Sequence, residues 1–456
     1  MVQQEFHEIT PVIEELAAKA QAADVIDSSL YAEYDVKRGL RDLNGVGVLA
    51  GLTHVSQVRA TKVVDGVKVP DYGQLIYRGY DIKDLVHGIL DSGRFGYEEV
   101  AYLLLFGDLP NKEELKMFSE TLAEYRELPT GFVRDVIMKK PSLHIMNTLS
   151  RSVLTLYAYD EEGNDISLPG IVRQSLELIA RFPQLSVYGY YAYQQEKGDG
   201  SLYIIPPLPD GSFAENLLHI LRPDGNYTET EAHVLDACLL LHMDHGGGNN
   251  STFTTHVVSS TNTDLYSVIA AALGALKGPR HGGANIKVVR MFDDMKATID
   301  TTDDEQIRDY LARLLNKNAF DNAGLIYGMG HAVYSLSDPR SEILKEYAKQ
   351  LAEEKGYQEE YALYEKVAKM APEMIAEKRK VFKGVSPNVD FYSGLIYRML
   401  DLPCELFTPL FAVSRIAGWS AHRIEEIQNS GEIIRPAYIS VKDNRDYIPM
   451  GDRLVE

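Results

Sequence analysis

The sequence predicts a mainly α-helical protein. Apolar residues recur at helical spacing through most of the chain, strand signals are confined to one short stretch, and no βαβ alternation is present. In chain order, Thr10-Pro11 reads as a cap followed by proline at the first helical position, with Ile13, Leu16, Ala17 and Ala20 on one face. The stretch Gly73 to Tyr80 (GQLIYRGY) is the best strand candidate and reads as a small hairpin. Residues 112–127 fit a helix, and 204–213 (IIPPLPDGSF) look like a linker or a long surface loop, because prolines break any helix there. Composition alone would cut the chain near residue 210. Leu265, Val268, Ile269, Ala272, Leu273 and Leu276 repeat at helical spacing after a Thr263 cap, and Gly278-Pro279 stops that helix. Ile286 to Met295 reads as a new helix, and residues 341–355 and 358–381 continue the pattern with Glu and Lys alternating along an exposed face. Phe391, Leu395 and Met399 form one helical row, with Ile396 and Leu400 in the next.

Composition narrows the function classes. The 456 residues are 45% hydrophobic and 25% charged, which suits a soluble globular protein of two to three domains by length. Lys and Arg total 46 against 66 Asp and Glu, so 46 − 66 gives a net charge of −20. That balance argues against nucleic acid and anionic membrane as partners, and an anionic substrate would need a local cluster of arginines. The two cysteines, Cys238 and Cys404, rule out a disulfide framework and a thiolate zinc site, and suit a reducing cytosol. The N-terminal stretch carries acids where a secretory or transit signal would carry basic residues, and no 18 consecutive residues are apolar. The expectation is a cytoplasmic enzyme.

Chemistry concentrates in four short segments. The first is His242-Met243-Asp244-His245-Gly246-Gly247-Gly248-Asn249-Asn250, where histidines at i and i+3 would share a helix face before a glycine run that admits close backbone approach. HxxH without a glutamate is weak as a zinc motif, and an HGGG oxyanion loop would need the GxSxG elbow that this chain lacks. Two partly buried histidines at a helix end account for the same residues. The second is Lys277 to Asn285 (KGPRHGGAN), where His281 at a helix N-terminus would be kept neutral and could donate a hydrogen bond to a developing enolate; the plain alternative is a loop histidine. The third, Gly328-Met329-Gly330-His331-Ala332-Val333-Tyr334 with Ser337-Asp338-Pro339-Arg340, sets a histidine and an arginine where they could polarise a carbonyl and grip a carboxylate, or form a solvated turn. In the fourth, Ser386 to Gly394 (SPNVDFYSG), Asp390 sits where an N-cap belongs, and is either that cap or a general base kept ionised by the helix dipole.

Together, LHMDH…NNSTFT, GPRHGGAN, GMGHAVY…DPR and PNVDFYSG, in this order and with YRGYDIKDL upstream and SRIAG at Ser414 to Gly418, resemble the citrate synthase family from about residue 40 to residue 440. Gly246 and Ala332 depart from the Glu and Arg of many members, which bears on substrate fine-tuning rather than on the reaction. The resemblance implies a two-domain helical fold, a large discontinuous domain (1–282 and 388–456) with a small inserted domain (283–387), and a helix rather than a strand at Ser251 to Thr261. It implies condensation of acetyl-CoA with oxaloacetate and water to citrate and CoA. Asp390 then matches the base, His281 the donor to the enolate, and His331 the group polarising the oxaloacetate carbonyl. Arg340, Arg415 and Arg435 match the substrate arginines, His245 an additional substrate histidine, and His242 a further candidate. A homodimer with Arg435 reaching across the interface is implied, as is the absence of any metal or redox cofactor. Three rivals remain: 2-methylcitrate synthesis from propionyl-CoA, a metal-dependent hydrolase built on His242 and His245, and a non-catalytic helical scaffold.

Overall fold

The computed structural model describes residues 9–42, 46–198, 200–279, 281–379, 384–429 and 431–453. They fall into two compact units, Met1–Leu52 and Thr53–Glu456. In the first, Pro11–Ala23 is helical, Thr10 Oγ1 accepts from the Ile13 N–H at 3.4 Å, and the predicted face of Ile13 and Leu16 is exposed.

Among the described residues of the second unit, the regular elements are helices apart from one antiparallel sheet of order β1-β2-β3, with β1 at Ser56–Val64, β2 at Val67–Tyr77 and β3 at Tyr80–Asp81. The predicted hairpin is the β2–β3 half, turning at Arg78 and Gly79, both at positive φ. The longer β1–β2 hairpin is not among the sequence expectations, although its Asp65-Gly66 turn, with φ of 50° and 79°, carries a recognised hairpin dipeptide.

Helices stand where periodicity predicts, with local corrections. Residues 250–259 are helix, against their β-branched propensity. The helix Leu265–Lys277 is capped by Asp264, whose carboxylate accepts from Ser267 N–H, rather than by Thr263. The helices Lys112–Glu124, Pro339–Lys355 and Gln358–Arg379 match their expected spans to within a few residues. Residues 204–212 form a loop tied to the body, where Arg126 donates to Leu208 O at 2.6 Å and Gly211 O at 2.8 Å, so the chain has no boundary there.

The long helix Phe407–Asn429 organises the core. It buries the chain's one tryptophan, Trp419, and packs on the helices Leu168–Lys197, Tyr97–Phe106 and Asn250–Ser259. Gly418 lets it pass the end of the helix Glu229–His242, since a Cβ there would lie 2.2 Å from Met243 O. That close approach seats Arg415 beside the first chemical segment.

Candidate active site

The first segment is held at both ends. The helix Glu229–His242 stops at His242, so Asp244 and His245 lie beyond its C-terminus and the two histidines do not share a helix face as predicted. Met243 makes the last turn, and Tyr77 at the end of β2 fixes the next residue, its hydroxyl donating to Asp244 O at 3.0 Å and accepting from Asp244 N–H at 3.1 Å. The Asp244 carboxylate accepts from Gly246 N–H at 2.9 Å, bonds the Ser56 hydroxyl and lies 3.2 Å from His422 Nε2. These partners hold it well below the usual carboxylate range in spite of burial.

Each histidine here is kept neutral. Burial, partly offset by its bond to Cys238 O at 2.6 Å, carries His242 down to about 3. His245 is held well below the ordinary imidazole range by burial and by neighbouring charges, Arg340 and Arg415 among them. The Nε2 atoms of both rings are buried without a hydrogen-bond partner.

The third and fourth segments are strapped to each other. Met329 and Pro387 form an antiparallel bridge, Gly330 N–H donates to Ser386 O, Asn388 N–H to Gly328 O, and Asn388 Nδ2 to Gly330 O, the last three at 2.8 Å. Gly328 is obligatory at this crossing: its φ is +79°, and a Cβ would lie 2.8 Å from the Phe391 ring. His331 Nδ1 accepts from Val333 N–H at 3.0 Å and Tyr334 N–H at 3.2 Å, so a neutral ring carries its proton on Nε2. The sheet braces this turn, since Tyr334 donates to Gln74 O and a Cβ on Gly73 would strike Ser337 O at 2.2 Å.

Asp390 is not the cap. Asn388 caps the helix Val389–Met399, accepting from the Asp390 N–H at 3.0 Å, and Asp390 lies in the first turn with its carboxylate free of that task. Burial pushes it up to about 6, against the pull of Arg340, so burial outweighs the helix-dipole stabilisation expected from sequence. Arg340 is itself committed, because Asp338 Oδ1 and Oδ2 accept from its Nε and Nη2 at 3.0 and 2.7 Å within a buried pair. Arg415 is buried, donates to His242 O at 2.7 Å and covers Phe411 at 4.7 Å, and leaves Nη2 without a hydrogen-bond partner. Burial lowers it to about 10, so it remains charged at neutral pH.

His281 precedes the helix Ala284–Thr298, with Gly283 at the cap position, so burial and Arg415 bring it down to about 4 rather than the dipole invoked from sequence. Its Nε2 faces Ser251 Oγ at 3.0 Å and Ser251 N–H at 3.4 Å, and because the backbone N–H can only donate, the proton of the neutral ring is left on Nδ1. Arg280 of the same motif lies outside the described residues.

The segments converge. The rings of His245 and His331 are 5.0 Å apart and both contact Tyr334, whose ring also lies under Arg340 at 5.8 Å. Phe411 contacts His242 and His281 at ring distances of 4.9 and 6.4 Å, which joins the Arg415 side of the cluster to the second segment. Asp390 lies within the fields of Arg340 and Asp338. Arg435 is exposed, in an irregular stretch after the last long helix, unlike the buried Arg340 and Arg415. The supporting roles of Tyr77, Ser56 and Asn388 are not evident from sequence. Asn388, three residues before the helical row that starts at Phe391, is the one of the three with a local signal for its role, as a capping residue type.

Comparison with known proteins shows the family to which the chain belongs. The family model described as "Citrate synthase, C-terminal domain" matches residues 43–437. The citrate synthase of Synechocystis sp. is 35% identical over 417 residues, covering 90% of this chain and 93% of that protein. The 2-methylcitrate synthase 1 of Corynebacterium glutamicum is 31% identical over 428 residues, covering 92% and 100%. A solved ternary complex of citrate synthase from Thermoplasma acidophilum with carboxymethyl coenzyme A and oxaloacetate superposes with a TM-score of 0.75 at 28% identity, over 92% of this chain and 99% of that one. The family model spans most of the sequence, and the relatives align along nearly their whole lengths. The chain therefore belongs to the citrate synthase family.

Proposed function

We propose that this protein condenses acetyl-CoA with oxaloacetate and water to give citrate and CoA. One observation carries the reading: Arg415 Nη2 and His245 Nε2 are buried polar groups without partners, in a cluster with His331 and Arg340 whose positive charges favour an anion. A small dicarboxylate with a keto group fits that set.

The ionised carboxylate of Asp390 takes a proton from the thioester methyl, and His281 Nδ1–H hydrogen-bonds the oxygen on which enolate charge develops. A neutral donor suits that task, because it stabilises the charge without quenching the base electrostatically. The new carbanion carbon attacks the keto carbon of oxaloacetate while His331 Nε2–H polarises its oxygen and supplies the proton that makes the alcohol. Water then cleaves the thioester, and the thiol of CoA leaves with a proton. Arg340, Arg415, His245 and His242 orient the substrate, and no metal or redox group is needed in these steps. The reading includes a homodimer in which the partner's Arg435 completes the substrate site, since a −20 chain gains from each arginine brought to a dianion. It also includes residues 283–387 as the inserted small domain.

The direct test is product identity: the purified protein should release citrate and CoA from acetyl-CoA and oxaloacetate, and no CoA release would overturn the proposal. Relatives of both names match over nine-tenths of this chain, so propionyl-CoA is the competing substrate. One methylene is worth about 1–3 kcal/mol. The kcat/KM for acetyl-CoA should therefore exceed that for propionyl-CoA by roughly 10- to 200-fold, and the reverse ratio would assign 2-methylcitrate synthesis.

The pH profile is set by Asp390. The base works only when ionised, and its carboxyl is pushed up to about 6. The kcat/KM should be flat near neutrality and fall about tenfold per pH unit below about 6. A profile level down to about pH 4.5 in a folded protein would exclude Asp390 as the base.

A further inference from the structure

Behind the Gly246-Gly247-Gly248 run lies a second constellation that the reaction does not use. His256 stands on the helix Asn250–Ser259, and His422, Glu425 and Glu426 stand on Phe407–Asn429. His256 Nε2 and His422 Nδ1 face each other at 3.1 Å. His256 Nδ1 bonds Glu426 Oε2 at 2.6 Å, while His422 Nε2 lies 3.2 Å from Asp244 Oδ1 in an alignment that makes no hydrogen bond, both atoms being buried without a partner.

A neutral imidazole has one N–H. With the His256 proton on Nδ1 toward Glu426, its Nε2 presents a lone pair to His422 Nδ1, and the two nitrogens share either the His422 Nδ1 proton or a cation bound by both. Histidines that ligate a metal are oriented in this manner, with the non-ligating N–H held by a carboxylate. A third donor is in place. Glu425 Oε1 accepts from His54 N–H at 2.6 Å, while the buried Oε2 has no hydrogen-bond partner and lies 3.9 Å from His422 Nδ1. One ligand atom from each of His256, His422 and Glu425 lies within 4.8 Å of the other two. A tetrahedral centre with metal–nitrogen bonds of about 2.0–2.1 Å sets its two nitrogens about 3.3 Å apart, close to the spacing here. Gly247 leaves room beside them, since a Cβ there would sit 3.5 Å from His256 Nε2 and 3.7 Å from His422 Cε1.

We propose that His256, His422 and Glu425 bind one divalent transition-metal ion of the zinc type. Two imidazoles and one carboxylate select such an ion over magnesium or calcium, which prefer all-oxygen shells. The role is structural. The ion pins the helix Phe407–Asn429 to Asn250–Ser259 and fixes His422 Nε2–H toward Asp244, the carboxylate that shapes the turn bearing His245. No sequence spacing announces the site, because its two histidines are 166 residues apart.

The test uses the untagged full chain, stripped with a chelator and titrated with Co2+. One equivalent per chain should produce the visible absorption of a four-coordinate N/O site, and one equivalent of Zn2+ should remove it. His256→Gln and Glu425→Gln, each checked for native circular dichroism, should weaken binding by about 100-fold or more. X-ray absorption of the zinc-loaded wild type should show two imidazoles per ion, which keeps the test decisive should either variant fail to fold. Absence of stoichiometric uptake, unchanged affinity in both variants, or fewer than two imidazoles per zinc would overturn the proposal.

Discussion

Asp390→Asn should leave a folded protein whose kcat has fallen by about 10²-fold or more, the range typical for loss of a positioned general base. The expectation of an intact fold rests on Asn388, whose side chain caps the helix and is untouched by the change. The introduced amide would also fill the same space without a buried charge, so the melting temperature should hold or rise. Two measurements separate the possibilities. Thermal melting reports the fold, and steady-state kinetics with acetyl-CoA and oxaloacetate report the chemistry. A well-folded variant with near-full kcat would remove Asp390 from the mechanism.

Mixing two crippled chains should restore activity if the site is shared. Arg435 is exposed within its own chain, whereas Arg340 and Arg415 are buried. Arg435→Ala should lower kcat/KM on the order of 10²-fold, the scale of losing one arginine–carboxylate pair. In a heterodimer of Arg435→Ala with Asp390→Asn, one of the two sites has both an intact base and an intact arginine from across the interface. Heterodimers should therefore regain about half the wild-type activity, measured after subunit exchange verified by mass spectrometry. Exchange without recovery would mean that Arg435 acts within its own chain or has no part in binding.

Local chemistry makes much of this protein legible. The 3.6-residue periodicity locates the helices Leu265–Lys277 and Gln358–Arg379, and Gly278-Pro279 marks a helix end, because such signals depend on neighbours a few residues away. The ordered motifs identify His281, His331 and Asp390 together, and the described structure sets their segments around Arg340 and Arg415. The β1–β2 hairpin is legible in principle at Asp65-Gly66, but the apolar alternation downstream of it is the stronger signal.

What sequence by itself determined was therefore the helical class, most helix positions and the short segments that carry the candidate site residues. Tertiary structure alone decided their states and companions. It moved the cap from Asp390 to Asn388, paired Arg340 with Asp338, left Arg415 Nη2 without a partner, and set His256 against His422. The reason is physical. Helix formation sums interactions over three or four residues, so a linear reading captures it. Protonation and partner choice depend on burial and on charges that reach each group from distant parts of the chain. Those reach His281 and Asp390 only once Arg415 and Arg340 are packed beside them.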